Sequence, residues 1–248
     1  MAKQGGIIFL KGTIGGINFY DRLGVPTARE AGGGFTREAI KNGENMVRVR
    51  EINSEFGICS RVNKCFKQAI RPVLIGYKDG TLHSRLMTLF LDIKDCDSFS
   101  IRGQRHVALG MASSKGKDLL KAFSFTPKRS ALFPCKYEFN WANYEFSVSG
   151  FKAREVGFPK DSHYMEVLVG LVRFDFETRQ YEQVFEAPLV IDRDFSGDTF
   201  SISMSGIPGG SGALIAVARV SFYQTVNGES YLLAGGGAFG IEVVGVAD

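Results

Sequence analysis

The spacing of apolar residues predicts helices in the first half of the chain. From residue 53 onward, apolar side chains recur at steps of three and four residues, at Phe56, Cys59, Val62, Phe66, Ala69, Ile70 and Val73. This period is that of an amphipathic helix, which Asn53 would cap and Pro72 would end. A second helix is predicted over residues 82–93, so that the two form a helical hairpin. A third, shorter helix is predicted around residues 115–123.

After residue 125 the pattern changes to that of β-strands. Six stretches rich in β-branched and aromatic residues are separated by clusters of Gly, Pro, Asp and Asn; these stretches are residues 137–148, 164–176, 181–191, 199–204, 213–223 and 231–244. Six or seven strands within about 110 residues are typical of an immunoglobulin-like β-sandwich. Trp141 lacks the flanking strand cysteines of antibody domains, so only the fold class is predicted.

The amino-terminal residues predict a β-hairpin. Ile17 and Phe19 belong to one arm, residues 21–24 supply the turn, and residues 25–30 form the returning arm. Because proline has no N–H for a ladder hydrogen bond, Pro26 places the returning arm at a sheet edge. Residues 7–10 are predicted to be a short strand ahead of the hairpin. Residues 35–52 are predicted to be an extended basic connector, with strand-like alternation at residues 46–50.

The hairpin also carries a recognisable motif. Residues 11–20 read Lys-Gly-x-Ile-Gly-Gly-x-x-Phe-Tyr, and the glycine run Gly32-Gly33-Gly34 follows the hairpin. This motif resembles that of a set of uncharacterised proteins from Bacteroidota bacteria. The resemblance implies an amino-terminal hairpin, a helical middle and a carboxy-terminal immunoglobulin-like sandwich, and it supplies no catalytic residues. Beyond the motif, the chain matches that group only in the order of its elements.

These patterns predict the fold class α+β, mainly β, with an amino-terminal β-hairpin and a helical hairpin followed by an Ig-like antiparallel β-sandwich. The charges divide in a similar way. Residues 1–134 contain 22 Lys and Arg against 11 Asp and Glu, whereas residues 135–248 contain 8 against 15. We therefore predict a basic domain at residues 1–130 and an acidic sandwich domain at residues 131–248. A single molecule with two electrically complementary ends is the alternative.

The composition is that of an ordinary globular protein. Of its residues, 44% are hydrophobic and 23% are charged, which argues against disorder. No run of about 18 apolar residues occurs, so no transmembrane segment is expected. The apolar patch at residues 7–10 is shorter than the core of a signal peptide. We therefore expect synthesis as a cytoplasmic protein, with release to the surface left open and the final location unknown.

Two glycine-rich stretches resemble nucleotide-binding loops but lack their structural context. Residues 235–240 match G-x-G-x-x-G, yet a dinucleotide site needs a helix directly after the glycines, and residues 241–244 are predicted to be a strand. Residues 209–212 lack the Lys and Ser or Thr of a phosphate-binding loop. Both stretches are predicted to be turns or bends, and no cofactor is expected.

Residue types that bind metals or act as nucleophiles are dispersed along the sequence. His83, His106 and His163 have no metal-binding spacing, and the acidic residues Asp192, Asp194 and Asp198 lack the spacing of an EF-hand loop. The cysteines, Cys59, Cys65, Cys96 and Cys135, show no CxxC spacing. We expect them to be small buried side chains in a reducing compartment, with a disulfide scaffold or a zinc site as the alternative. No GxSxG motif is present, so neither an enzyme nor a metal site is predicted.

The leading functional hypothesis is a non-enzymatic structural protein that assembles with itself into a filament, fibre or ring. A terminal strand can add to the sheet edge of another copy, and complementary charges favour head-to-tail contacts. The candidate assembly interface consists of Ile7, Ile8, Phe9, Leu10, Ile14, Ile17, Phe19 and Tyr20.

Two other functions are kept as alternatives. A carbohydrate- or cell-wall-binding module would use an aromatic platform, for which Trp141, Tyr144 and Tyr223 are available. The further alternative is a nucleic-acid partner, although no RNA- or DNA-binding module is recognisable. Its candidate basic surface consists of Arg48, Arg50, Arg61, Lys64, Lys67 and Arg71, with Phe35 and Phe56 near enough in sequence to stack on bases.

Overall fold

Two structural units divide the chain. The computed structural model describes residues 2–32, 36–129, 131–235 and 237–247. Its contacts separate Met1–Ser54 from Glu55–Asp248, and the boundary falls inside one continuous helix, Val47–Ala69. Glycines 33 and 34 of the predicted glycine run lie outside the described residues. The domain boundary at residue 130 rests on charge and composition and stays a prediction.

The first unit consists of a small antiparallel sheet followed by helical turns. Its elements are β1 (Ala2–Lys3), β2 (Gly12–Ile14), β3 (Ile17–Arg22), β4 (Val25–Glu30), α1 (Arg37–Asn42), a 3-10 turn (Glu44–Met46) and the first residues of α2 (Val47–Ala69). The strand order in the sheet is β1-β4-β3-β2. The structure therefore confirms the amino-terminal strands and adds two further strands to the predicted hairpin.

Two-residue turns with positive φ build this sheet. Gly15 and Gly16 connect β2 to β3, and Leu23 and Gly24 connect β3 to β4; all four residues have φ between 53° and 82°. Such turns match the right-handed twist of the strands they join. Asp21 strengthens the second turn, because its Oδ1 accepts a hydrogen bond from Gly24 N at 2.7 Å.

The predicted edge position of Pro26 is wrong, and so is the predicted strand at residues 7–10. Strand β4 lies between β1 and β3, and Pro26 O accepts a hydrogen bond from Gln4 N at 2.9 Å just beyond the end of β1. Residues 7–10 form a bend because the side chain of Gln4 closes the loop. Its Oε1 accepts from Leu10 N at 2.8 Å, and its Nε2 donates to Leu10 O at 3.3 Å.

The stretch predicted to be an extended connector is helical where the structure describes it. Thr36 caps α1 by accepting a hydrogen bond from Ala39 N, and Arg50 donates to Ile40 O and Gly43 O at 2.7 and 2.8 Å. These bonds satisfy carbonyls at the end of α1, where a helix leaves them without intrahelical partners. Because α2 already begins at Val47, Asn53 is an interior residue of the helix instead of its cap.

The second unit contains the helical middle and two antiparallel sheets. After α2, its helices are α3 (Arg71–Leu74), α4 (Leu82–Lys94), α5 (Val107–Met111) and α6 (Ser114–Lys121). Its strands are β5 (Lys136–Asn140), β6 (Glu145–Ser149), β7 (Tyr164–Phe174), β8 (Tyr181–Phe185), β9 (Leu189–Asp192), β10 (Thr199–Ser203), β11 (Ala213–Val226), β12 (Glu229–Leu232) and β13 (Phe239–Ala247), with a 3-10 turn at Ala153–Glu155.

Strands β7 and β11 form the centre of the larger sheet. Strand β11 pairs with β12 and β13 on one side, and β7 pairs with β8 and β9 on the other. A smaller sheet has the order β10-β6-β5, and the two sheets together describe half of a barrel. Three of the predicted strands, residues 137–148, 181–191 and 231–244, each form two strands separated by a turn.

Both faces of the larger sheet are buried, against different layers. Alternate residues of β7 and β11, such as Val172 and Val217, share a core with the helices around Phe66 and Phe90. The intervening residues, such as Val169 in β7, share a second core with the smaller sheet. Because side chains alternate across a strand, one strand pair supports both cores. The helices and the larger sheet therefore fold as one unit.

Gly110 marks the closest approach between two helices in this unit. A Cβ atom on Gly110 in α5 would lie 2.0 Å from Ile93 O in α4. We predict that Gly110→Ala lowers the free energy of unfolding by about 2 kcal/mol, since overpacking of about 3 kcal/mol exceeds the gain of about 1 kcal/mol in helix propensity. Urea denaturation measures the change.

The matched control is Gly206→Ala, because a Cβ at Gly206 meets nothing within 4 Å. Its denaturation midpoint should stay close to that of the unsubstituted chain. Equal midpoints for the two alanine variants would contradict the packing described for α4 and α5.

Candidate interaction surface

The first unit does not bury its own apolar residues. Among its described residues, only Thr27 and Met46 are buried. Ile7 and Ile8 are 100% and 81% exposed, and the rest of the apolar loop at residues 9–10 is exposed as well. A three- or four-stranded sheet needs a covered hydrophobic face for independent stability. This unit therefore has a sheet but no hydrophobic core.

Strand register places the predicted interface residues on two different faces of the small sheet. Ile14 pairs with Ile17, and Phe19 pairs with Ala28, so these four side chains share one face. Tyr20 is on the opposite face, where the Arg29 guanidinium lies 5.5 Å from its ring centre. The structure thus brings Ile14, Ile17 and Phe19 together and separates Tyr20 from them.

The outer edge of this sheet is strand β2. Among the described strands, β2 pairs only with β3, at the register Gly12↔Phe19, Thr13↔Asn18 and Ile14↔Ile17. Residues in an antiparallel ladder alternate between facing the partner and facing away. Thr13 lies between the two hydrogen-bonded pairs, so its backbone N–H and C=O point outward and can accept another strand.

One exposed apolar residue of this unit was not predicted to be part of the interface. Leu23 is 98% exposed at the tip of the β3–β4 turn. The sequence contained a signal for it, because a leucine directly before Gly24 occupies a turn position where polar residues are usual. It extends the apolar surface to the hairpin tip.

The predicted basic surface is divided by its hydrogen bonds. Arg48 pairs with Glu51 at 3.6 Å, and Arg50 is used within the first unit by its bonds to Ile40 O and Gly43 O. Phe35, the predicted stacking residue, lies outside the described residues, while Phe56 is exposed.

The remaining four cations belong to the second unit. Arg61, Lys64 and Lys67 lie on the side of α2 opposite the buried residues, and Arg71 begins α3. No Asp or Glu occurs in residues 56–78. Lys67 Nζ lies 3.2 Å from His83 Nδ1. We call these four residues the cationic helix face.

The charge separation seen in the sequence lies within the second unit. Residues 1–54 contain 8 Lys and Arg against 5 Asp and Glu, so the first unit is only weakly basic. Residues 55–134 contain 14 against 6, and residues 135–248 contain 8 against 15. The helical part of the second unit is therefore basic and its sheet part acidic.

An acidic loop joins β9 to β10 in the sheet part. Asp192, Asp194 and Asp198 are exposed. Arg193, the cation between them, is turned away: it donates to Lys160 O and Ser162 O at 3.3 Å and lies over the ring of Phe158. In the part of the chain that the structure describes, no group of three or more His, Cys, Asp or Glu is placed to hold a metal ion.

Glu55 forms the most completely bonded buried charge of the second unit. Its carboxylate, 4% exposed, accepts from Lys94 Nζ at 2.9 Å, from Arg105 Nε and Nη2 at 2.9 and 2.8 Å, and from Gly103 N at 2.7 Å. Burial alone would raise the pKa of Glu55, but the bonds from Arg105, Lys94 and Gly103 lower it to about 2. All acceptor positions are used, so this carboxylate is structural.

The bonds of Glu55 hold a loop that presents two apolar side chains. Phe99 and Ile101, on the loop between α4 and α5, are 84% and 69% exposed. Asp97 supports the same loop by accepting from Phe99 N, Ser100 N and His106 N. The sequence did not identify these residues, since nothing in the local pattern separates an exposed loop phenylalanine from a buried one.

The histidines and cysteines considered as metal ligands have contacts in separate parts of the second unit. His163 Nδ1 accepts from Thr225 N at 2.9 Å, whereas His83 lies beside Asn63 and Lys67. The described cysteines are free thiols, and Cys59 is buried; its burial raises the pKa of the thiol to about 11. Tyr137 donates to Glu242 at 2.7 Å, and burial raises the pKa of both groups.

The aromatic platform proposed for carbohydrates does not form as one surface. Trp141 packs against Phe139 at 4.8 Å and Tyr144 packs on the core between the sheets, whereas Tyr223 stacks on Tyr164 at 5.1 Å in the larger sheet. Residues 235–240 lead directly into β13, so a strand and not a helix follows these glycines; Gly236 lies outside the described residues.

Comparisons of this chain with protein-family models, with curated proteins and with solved structures found no match. Within the described residues, no helix is long and apolar enough to cross a membrane.

The low pKa of Glu55 predicts acid sensitivity. Because the folded state holds the proton of Glu55 less tightly than the unfolded state, the stabilisation is complete above about pH 5 and is lost as the pH falls towards 2. A shift of this size corresponds to about 3 kcal/mol. Glu55→Gln should lower the unfolding free energy at pH 7 and flatten its decline between pH 5 and pH 2. Urea denaturation at each pH measures the unfolding free energy. If it declines equally with pH in the unsubstituted chain and in Glu55→Gln, Glu55 is not the group responsible.

Proposed function

We propose that this protein is a non-enzymatic structural protein that assembles with itself into a filament, fibre or ring. The proposal rests on the exposure of the first unit. This unit has a well-defined sheet, yet it covers almost none of its own apolar side chains. The occupant that we propose for its apolar surface is a second copy of the chain.

The uncovered side chains supply the driving force for this assembly. Each large apolar side chain contributes about 1.5–3 kcal/mol when it is fully transferred from water to a packed interface. The exposed apolar side chains are Ile7, Ile8, Phe9, Leu10, Ile14, Ile17 and Leu23, and the half-buried Phe19 lies on the same face as Ile14 and Ile17. Soluble monomers rarely expose large apolar patches. Burial against another copy would give the first unit the core that it lacks.

The free edge of strand β2 offers a defined place for a strand of another copy to bind. A strand added beside Thr13 would form main-chain hydrogen bonds, which do not depend on the identity of the added side chains. Pairing of the β2 edge with a different strand of the second copy would be a heterologous contact, and heterologous contacts produce closed rings or open filaments.

Charge supports a second contact in the same assembly. The cationic helix face and the acidic loop between β9 and β10 carry opposite charges and belong to different layers of the second unit. Attraction between exposed charges weakens as salt screens them, with a Debye length of about 8 Å at physiological ionic strength. The assembly should therefore loosen, though not dissolve, at high salt.

We also propose that the two sheets form an immunoglobulin-like sandwich. The core shared by the two sheets supports a sandwich of immunoglobulin-like class. The helical layer on the other face of the larger sheet is an addition that this class does not require. Kinship with the Bacteroidota proteins is inferred from the motif at residues 11–20 alone.

A nucleic-acid partner is the second candidate function. It is favoured by the cationic helix face, where no acidic residue interrupts residues 56–78. Non-specific binding to nucleic acids draws its affinity from such cations and falls steeply with salt. This alternative predicts binding without any dependence on the apolar residues of the first unit.

The double substitution Ile7→Asp and Ile8→Asp tests the proposal. Both residues lie in the bend that Gln4 closes, and neither is covered by its own unit, so the fold should tolerate the change. We expect the variant to stay monomeric where the unsubstituted chain assembles, because desolvating two carboxylates opposes burial of the loop. Light scattering on a sizing column, with electron micrographs of the fractions, measures the difference.

The control is Ile207→Asp, which makes the same kind of substitution at one exposed isoleucine in the second unit. This variant should assemble like the unsubstituted chain. If the Ile7 and Ile8 variant assembles normally, the first unit is not the contact. If an added oligonucleotide binds the unsubstituted chain and both variants equally, the result favours the nucleic-acid alternative.

A further inference from the structure

A small cleft lies beside the turn that joins β7 to β8. Its volume is about 370 Å³, and its walls come from the hairpin and from the loop that precedes β11. The residues that line it are Arg173, Arg179, Gln180, Tyr181, Glu182, Gly209, Gly210 and Ser211. A cleft of this size is at the lower end of the range for small-molecule sites.

The backbone of Arg179 is in a conformation that favours glycine. Its φ is 64°, in the left-handed region, and its N–H donates to Asp175 O at 2.8 Å. Asp175 Oδ1 also accepts from Glu177 N and Thr178 N, so the turn holds this conformation. Glycine is the usual residue at such a turn position. An arginine here costs stability, and such costs are often associated with functional sites.

Both arginines retain unused donors. Among the described residues, no acceptor bonds the side chain of Arg179. Arg173 Nη1 donates to Gly212 O at 3.1 Å, but its buried Nε has no described partner. Guanidinium groups with free N–H edges bind carboxylates and phosphates in a fork geometry. The two side chains therefore present unsatisfied positive charge to one cleft.

Hydrogen bonds hold the acidic residues near the cleft in place. Glu182 Oε2 accepts from Gly209 N at 3.0 Å, and Asp175 Oδ2 accepts from Ser211 Oγ at 2.8 Å. Each of these bonds ties the glycine loop to the hairpin. Gly212 allows the close approach, because its φ is 95° and a Cβ there would lie 2.3 Å from Phe174 O. Glu182 keeps its negative charge, so the two arginines of the lining exceed its one carboxylate by a single positive charge.

We infer that this cleft binds a small anion whose carboxylate or phosphate is carried on a polar body the size of a monosaccharide. Arg173 and Arg179 would hold the anionic group. Gln180 and the hydroxyl of Tyr181 would contact the polar body, with the Tyr181 ring as an apolar wall. This site is separate from the surfaces proposed for assembly, and it places a sugar-acid or sugar-phosphate ligand on the larger sheet.

Calorimetric titration of the full chain tests the inference with three ligands. Galacturonate carries a carboxylate, glucose 6-phosphate carries a phosphate, and galactose carries neither. We expect at least one of the two anions to bind at least ten times more tightly than galactose, and the tighter anion identifies the head group. Equal affinities for all three, or no binding, would overturn the inference.

Arg179→Gly distinguishes a binding role from a structural one. Because glycine adopts the left-handed conformation without strain, this variant should keep its melting temperature or raise it by about 2 °C. It should at the same time lose at least tenfold in affinity for the anion. Arg154→Gly removes the same charge from an exposed 3-10 turn outside the cleft and should leave the affinity unchanged. Unchanged affinity in Arg179→Gly, or an equal loss in both variants, would refute the site.

Discussion

The pairing of β7 with β11 supports the whole second unit. The ladder runs from Ala213↔Phe174 to Tyr223↔Tyr164, and its side chains enter two cores on opposite faces. The ladder also contains a charged residue that contacts the helical layer: Arg219 of β11 donates hydrogen bonds to Pro72 O and Ile75 O, which lie within and just after α3. The larger sheet therefore shares one core with the helices and a second core with the smaller sheet.

The first unit has no equivalent of this arrangement. Its turns have positive φ at Leu23 and Gly24, yet no apolar side chain of its described strands is buried. Backbone hydrogen bonding alone adds little net stability, so a sheet without a core needs burial from another source. We propose that a second copy of the chain supplies that burial.

Local sequence patterns predicted most helices and strands, but not the contacts that depend on particular side chains or on residues distant in sequence. The apolar spacing that predicts α2 and α4 is a local feature, and the structure confirms both helices. The bend at residues 7–10 depends on the side chain of Gln4, six residues from Leu10, and no apolar pattern records such a bond. The cleft between Arg173 and Arg179 forms only when the glycine loop folds onto the hairpin. The residues of the first unit were identifiable as apolar, but the placement of Ile14 opposite Ile17 required the pairing of β2 with β3.

We propose that another copy covers the apolar side chains of the first unit. The decisive measurement is sedimentation velocity of the unsubstituted chain, over a wide range of protein concentration at physiological salt. We expect species larger than the 27.2 kDa chain, with a share that rises with concentration as mass action requires. A single species at the mass of one chain, at every concentration, would contradict it.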